Sequence, residues 1–170
     1  DTLSIGICNG CQLMVELGLI YPEQAEMPKM LHNDSHKFES GFINVTIQPN
    51  DSVMLKSLAG ARLGVWIAHG EGKFYFPYAE SEYAIPVKYS YDVYPANPNG
   101  SPFAAAAICS KDGRHLAIMP HTERAIFPWN WPYYAEGRET DEVSPWIEAF
   151  VNARKWVEAV SYTHLRSPRD

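Results

Sequence analysis

Cys8 and Cys11 lie three residues apart in "LSIGICNGCQLMVELG", Leu3 to Gly18, between an apolar β-branched run and an apolar helical pattern. Three chemistries compete for that spacing. A structural zinc takes about four ligands. A second CxxC is absent, Cys109 stands alone, and His32 and His36 lie in a stretch without helical pattern. A redox pair uses C-x-x-C in a turn before a helix, which the local pattern allows. A nucleophile at a strand-to-helix corner needs small neighbours, and Gly6 and Gly10 flank Cys8 at two residues on either side. That is the cysteine version of the G-x-S-x-G elbow. A helix starting just beyond Cys8 aims free N–H groups and a positive dipole end at the sulfur, which favours thiolate. The same N–H groups, that of Asn9 above all, can hold an oxyanion. On this reading Cys11 packs in the core as a small apolar residue.

A thiolate nucleophile needs a general base, and the base needs an orienting group. Two histidines have a carboxylate at i+2, on the same side of an extended backbone. They are His121 with Glu123, just beyond "HLAIMP", and His69 with Glu71 in "AHGEG". Pro120 closes the strand before His121, which places that pair at a strand's C-terminal end, where open parallel sheets bind ligands. The local pattern alone does not separate the two pairs. His32, His36 and His115 have no comparable setting and read as surface or loop histidines.

The elements that must position these groups follow from periodicity. Leu3 to Ile7 reads as a strand buried on both faces. A helix over Gly10 to Ile20 follows, with Leu13, Met14, Leu17 and Ile20 on one face and Gly18 as its end signal. Pro22 to Ser40 reads as loop entering a strand. "GFINVTIQP" is a half-buried strand, and "RLGVWIAHGEGKFYF" a strand, a glycine-punctuated turn and another strand. "IPVKYSYD" is a further strand, and "YPANPNGSP" a loop. "FAAAAICS" and "HLAIMP" are strands joined by the turn Lys111-Asp112-Gly113-Arg114. Ser144 and Pro145 start a last helix, with Trp146, Ile147, Phe150, Val151, Trp156 and Val157 on its buried side. The fold class is α/β, one domain, with a parallel core sheet and an added antiparallel section. One strand–helix unit cannot build a covered parallel sheet, so the first half of that core is expected to be missing.

Composition narrows the partners. A chain of 170 residues supports one core, and a net charge of −6 gives no basic footprint for nucleic acid. No apolar run approaches the ~20 residues of a membrane span, and no signal peptide is visible. Three cysteines without framework spacing do not make a disulfide scaffold. The expectation is a reduced, cytoplasmic protein without nucleic-acid or membrane partners. The domain is expected over residues 1–159. Residues 160–170, "VSYTHLRSPRD", read as a non-native tail that resembles a translated sequencing-library adaptor.

"GICNGCQ", Gly6 to Gln12, resembles the G-x-C-x-G-x-Q elbow of class I glutamine amidotransferases, and "MPHTER", Met119 to Arg124, their His-x-Glu segment. "NDSHKFES", "AHGEGKF", "YPANPNGSP", "MPHTERAIFPWNW" and "SPWIEAFVNARKW" are similar, in order, to the glutaminase domains of large single-chain phosphoribosylformylglycinamidine synthases. The likeness runs from Leu3 to about Val157. It implies a flavodoxin-like parallel sheet, here partial, with Cys8 as nucleophile, His121 as base and Glu123 as its orienting group. It also implies that Asn9 and Gly10 border the oxyanion, that Gln12 recognises the glutamine side chain, and that Asn33, Ser35 and Phe38 line the site. His69, counted with these substrate-side residues, and Glu71 belong to a loop near it, with a structural or substrate-side role. Thr122 departs from the proline that the family usually has between His and Glu, which leaves that turn less stiff.

The implied activity is hydrolysis of L-glutamine to glutamate and ammonia. Synthetase domains of the same parent chain, with ATP and Mg²⁺, would use the ammonia to amidate formylglycinamide ribonucleotide in purine synthesis. No cofactor or metal is expected in this domain. The family takes a second oxyanion N–H from a glycine-rich loop upstream of the present start, so the chain alone is expected to be inactive and poorly soluble. The alternatives are a cysteine-nucleophile hydrolase of the same fold and a non-enzymatic CxxC metal or redox module.

Overall fold

The computed structural model describes residues 2–166, with side chains described through residue 161. In chain order the elements are β1 (Ser4–Ile7), α1 (Asn9–Glu16), β2 (Lys29–Leu31), β3 (Glu39–Ile47), β4 (Arg62–His69), β5 (Lys73–Tyr75), β6 (Ala84–Tyr89), β7 (Ala105–Cys109), β8 (His115–Ile118) and α2 (Ile147–Arg166). Six strands form one sheet in the order β1-β8-β7-β6-β3-β4, and β2 pairs with β5 in a second, two-stranded sheet. β1 and β8 run parallel, with Ile7 opposite Ile118. The other pairings of the large sheet are antiparallel. The fold is therefore α/β, with the parallel part confined in this chain to β1 and β8.

The sheet curls. Its far edge strand, β4, comes round to the residues just beyond β8, where Trp66 and His121 form an isolated antiparallel bridge. Apolar side chains pack on both faces. Val45, Leu63, Val65, Val87, Leu116 and Ile118 form one core with Trp146 and Ala149 at the start of α2. Ile85, Ala105, Ile108, Ala117 and Met119 form the other with Cys11 and Val15 of α1. Leu116 and Ile118 fall in one core and Ala117 and Met119 in the other, as strand alternation requires. The Trp146 indole is fully buried, and its N–H donates to the Gly64 carbonyl at 2.8 Å.

Most expected elements are present, and three differ. β2 lies inside the stretch read as loop, since three residues carry too little alternation to announce a strand. α1 is shorter than expected and only part of its expected face turns inward: Met14 and Ile20 pack into the core with Cys11 and Val15, while Leu13 and Leu17 are 54% and 67% exposed. Residues 11 and 15 are one turn apart and meet β1 and β8; the apolar residues at 13 and 17 lie on another side. α2 runs through Arg166, past the expected end of helical pattern near Val160. No Gly or Pro interrupts it before Pro168. Residues 167–170 lie outside the described residues.

Candidate active site

Cys8 ends β1 and opens α1 with φ 52° and ψ −106°, a backbone conformation that costs a side-chain-bearing residue on the order of 1–3 kcal/mol. Gly6 makes the corner possible. A Cβ there would lie 2.4 Å from the Gly10 carbonyl oxygen and 2.5 Å from Met14 Sδ. At Gly10 itself a Cβ would meet nothing within 4 Å, so that side of the corner is open. The Cys8 N–H donates to the Ile118 carbonyl at 2.9 Å, which extends the β1–β8 pairing to the elbow. Cys8 is half-buried and Cys11 fully buried; both, with Cys109, are free thiols. Complete burial holds the Cys11 thiol well above its ordinary range and closes it to exchange with outside thiols.

His121 follows β8 by a short connection, is 7% exposed, and its Nδ1 lies 2.7 Å from Glu123 Oε1. Thr122 to Arg124 form one tight helical turn, which brings Glu123 back onto the ring. The Thr122 hydroxyl is buried without a partner, and the turn forms without the proline. β4 supports both groups from one edge. The Trp66 carbonyl accepts the His121 N–H at 2.8 Å, and the Ala68 carbonyl accepts the Cys8 thiol at 3.6 Å. Carbonyls two residues apart on a strand point the same way, so one edge serves both. Sequence reasoning had no access to these two carbonyls, because the contact exists only once the sheet curls.

Burial pushes the Cys8 thiol up. The Asn9 N–H and the Arg124 guanidinium act against that rise, and Glu123 adds to it. The expected thiolate-favouring pull of the helix N-terminus is thus present at Asn9 and is outweighed by desolvation. The balance favours thiol over thiolate at Cys8. Arg124, absent from the sequence reading, could be suspected only from its place beside Glu123.

The other expected site residues divide. Asn9 is exposed at the corner. The Gln12 amide donates to the Glu71 carbonyl at 2.8 Å, tying α1 to the turn after β4. Asn33 is fully buried and clamps that turn: its amide donates to the His69 and Lys37 carbonyls, and its oxygen accepts the Gly72 N–H at 2.9 Å. Asn99, which the sequence placed merely in a loop, holds the other side of Gly72 by donating to its carbonyl at 2.8 Å. Ser35 keeps a buried hydroxyl without a partner, and Phe38 is 68% exposed beside Gly70. His69 is buried, and burial with the nearby His121 pushes it down to about 4, so its ring is neutral.

Among the described residues no group of three or more His, Cys, Asp or Glu side chains could hold a metal ion, and no helix is long and apolar enough to cross a membrane. A cysteine on a glycine-relieved strand-to-helix corner, next to a strand that delivers a buried His–Glu pair, sets this domain among the amidotransferase-type α/β folds. A family model, the CobB/CobQ-like glutamine amidotransferase domain, matches residues 1–157, and the chain belongs to that family. It is 46% identical over 180 residues to the probable phosphoribosylformylglycinamidine synthase, chloroplastic/mitochondrial, of Arabidopsis thaliana, covering 94% of this chain and 13% of that protein. It is 42% identical over 182 residues to the phosphoribosylformylglycinamidine synthase of Homo sapiens, covering 92% of this chain and 14% of that one. The chain thus spans only 13–14% of the length of these relatives. Among solved structures, PurLQS from Thermotoga maritima superposes with a TM-score of 0.68 at 25% identity, over 91% of this chain and 62% of that one.

Proposed function

We propose that this chain is the glutaminase part of a phosphoribosylformylglycinamidine synthase, in which Cys8, His121 and Glu123 hydrolyse L-glutamine to glutamate and ammonia. The observation that carries the reading is the positive-φ Cys8 at the end of β1, directly beside the strand whose end delivers the bonded His121–Glu123 pair. Neighbouring strands lie ~4.8 Å apart, so groups leaving the ends of β1 and β8 emerge side by side.

With Nδ1 engaged by Glu123, the His121 Nε2 is left to take the thiol proton. The sulfur attacks the side-chain amide carbon, and the Asn9 N–H meets the oxyanion. His121 returns its proton to the departing nitrogen, the C–N bond breaks, and ammonia leaves a γ-glutamyl thioester on Cys8. Water then gives a proton to His121 and adds to the thioester carbon. The C–S bond breaks, the thiol regains its proton, and glutamate leaves.

The ammonia would pass to synthetase domains of the parent chain, which with ATP and Mg²⁺ would amidate formylglycinamide ribonucleotide. We assign ATP and Mg²⁺ to those domains, and no residue of this chain to either. A cytoplasmic setting belongs to the same proposal; the Arabidopsis relative is named chloroplastic/mitochondrial.

A diazoketone analogue of L-glutamine, applied to the parent synthase that carries this chain, tests the reading. Attack by sulfur forms an S–C bond and expels N₂, leaving a stable adduct. Peptide mapping is expected to find it on Cys8, with Cys11 and Cys109 unlabelled and excess L-glutamine protecting. Label spread over the cysteines, or none on Cys8, would overturn the assignment.

A further inference from the structure

Buried polar groups without partners are rare, and each asks for an explanation. Six described residues carry such an atom: Gln24, Ser35, Glu39, Ser52, His69 and Thr122. Four of them belong to segments that meet at the candidate site. Thr122 follows His121. Ser35 lies in the turn that Asn33 fastens to His69. Glu39 sits opposite His69 in the β3–β4 register. His69 is the extreme case: it is 2% exposed, and both its ring nitrogens are unpaired.

The backbone around that ring is fastened with care. The carbonyls of His69 and Gly70 accept from Asn33, at 2.8 and 2.9 Å. The Glu71 carbonyl accepts from Gln12, and Gly72 is held by Asn33 on one side and Asn99 on the other. Gly72 lies so close to the ring that a Cβ there would come 2.5 Å from His69 Nδ1. Glu39 and His69 could have satisfied each other across the strands, yet each keeps unpaired atoms. The residue before His69 holds the Cys8 thiol through its carbonyl, and the His121 imidazole is close enough to bias the His69 ring electrostatically.

We propose that His69 is a substrate-contacting residue whose ring is kept unpaired in the free protein and makes its hydrogen bond to the glutamyl group bound on Cys8. This rests on the glutaminase reading above. An unpaired buried imidazole lowers the stability of the free protein and is compensated only when substrate arrives, so stability and catalysis depend on it in opposite directions. A ring with a purely structural part would move both together.

The test compares the wild-type parent synthase that carries this chain with its His69→Leu and His69→Gln variants. Thermal unfolding without ligand is expected to leave His69→Leu at least as stable as wild type. Labelling of Cys8 by the diazoketone analogue is expected to slow about tenfold or more, the loss of one hydrogen bond in the reacting complex. His69→Gln, which can still donate and accept, is expected to recover part of that rate. Equal labelling of Cys8 in wild type and His69→Leu would overturn this proposal alone. A lowered unfolding temperature in both variants would make the ring structural and overturn it too. Absence of label on wild-type Cys8 would refute the glutaminase reading and this inference with it.

Discussion

Replacing Gly6 by alanine adds one methyl group and tests how the elbow is built. The new Cβ would stand 2.4 Å from the Gly10 carbonyl oxygen, 2.6 Å from the Gly10 carbonyl carbon and 2.5 Å from Met14 Sδ. The Met14 side chain can swing aside; the Gly10 carbonyl is backbone in the first turn of α1 and cannot. Ordinary contact begins at 3.4 Å, so the first turn must retreat by about 1 Å from β1. Overpacking of a tight core costs about 1–3 kcal/mol. The same retreat carries the Asn9 N–H away from the sulfur it faces, and about 1 Å of misplacement at a reacting centre costs on the order of 10² in rate. Urea unfolding is expected to show a lower midpoint with unchanged slope, and diazoketone labelling of Cys8 should slow about a hundredfold. A Gly6→Ala variant with wild-type midpoint and labelling rate would show that the corner has slack, and the reasoning about its strained geometry would be wrong.

Glu123→Gln removes the charge 2.7 Å from His121 Nδ1 and keeps the shape. Glu123 is partly exposed, so water replaces part of its effect, and glutamate release by the parent synthase is expected to fall by about 10–10³-fold with little change in KM; an unchanged kcat would remove Glu123 from the site. Because burial raises the Cys8 thiol, thiolate becomes scarcer at neutral pH. Alkylation of Cys8 by a neutral haloacetamide should rise with pH to an inflection above that of a free cysteine. Arg124→Ala should move the inflection higher still, since the guanidinium favours thiolate; a shift downward would contradict the electrostatics. Asn99→Ala leaves the Gly72 carbonyl and the Tyr89 hydroxyl without the amide that reaches both at 2.8 and 2.9 Å. All three groups are buried, so a loss of about 2–4 kcal/mol is expected from denaturant titration; a loss under about 0.5 kcal/mol would show that the 94–102 loop does not fasten the turn.

The elbow was legible because its requirements are local: an apolar strand, small residues around a cysteine, a helix behind. The β7–β8 turn was legible for the same reason, with Asp112 accepting from Ser110 and from the Arg114 N–H. What the residues left open was which histidine serves. His69 and His121 have the same i+2 carboxylate, and only topology separates them. His121 has its carboxylate on its ring, whereas Glu71 points elsewhere, within 3.6 Å of His32. The inward face of α1 was misjudged at Leu13 and Leu17, whose apolar side chains give no sign that the turn bearing Cys11 and Val15 is the one that meets the sheet. Asn33 and Asn99 gave no sign of their clamp, since a buried amide and a surface amide look alike in a sequence.

The edge of β4 carries one last consequence. An outer strand with bare carbonyls invites a foreign chain to add itself. Here two of those carbonyls, at Trp66 and Ala68, are occupied by His121 and Cys8. The candidate site therefore doubles as the seam that closes the sheet, and it is complete only once that seam has formed. Fraying of this seam would silence the thiol while most of the protein stayed native, which makes the reactivity of Cys8 an early gauge of damage to the whole domain.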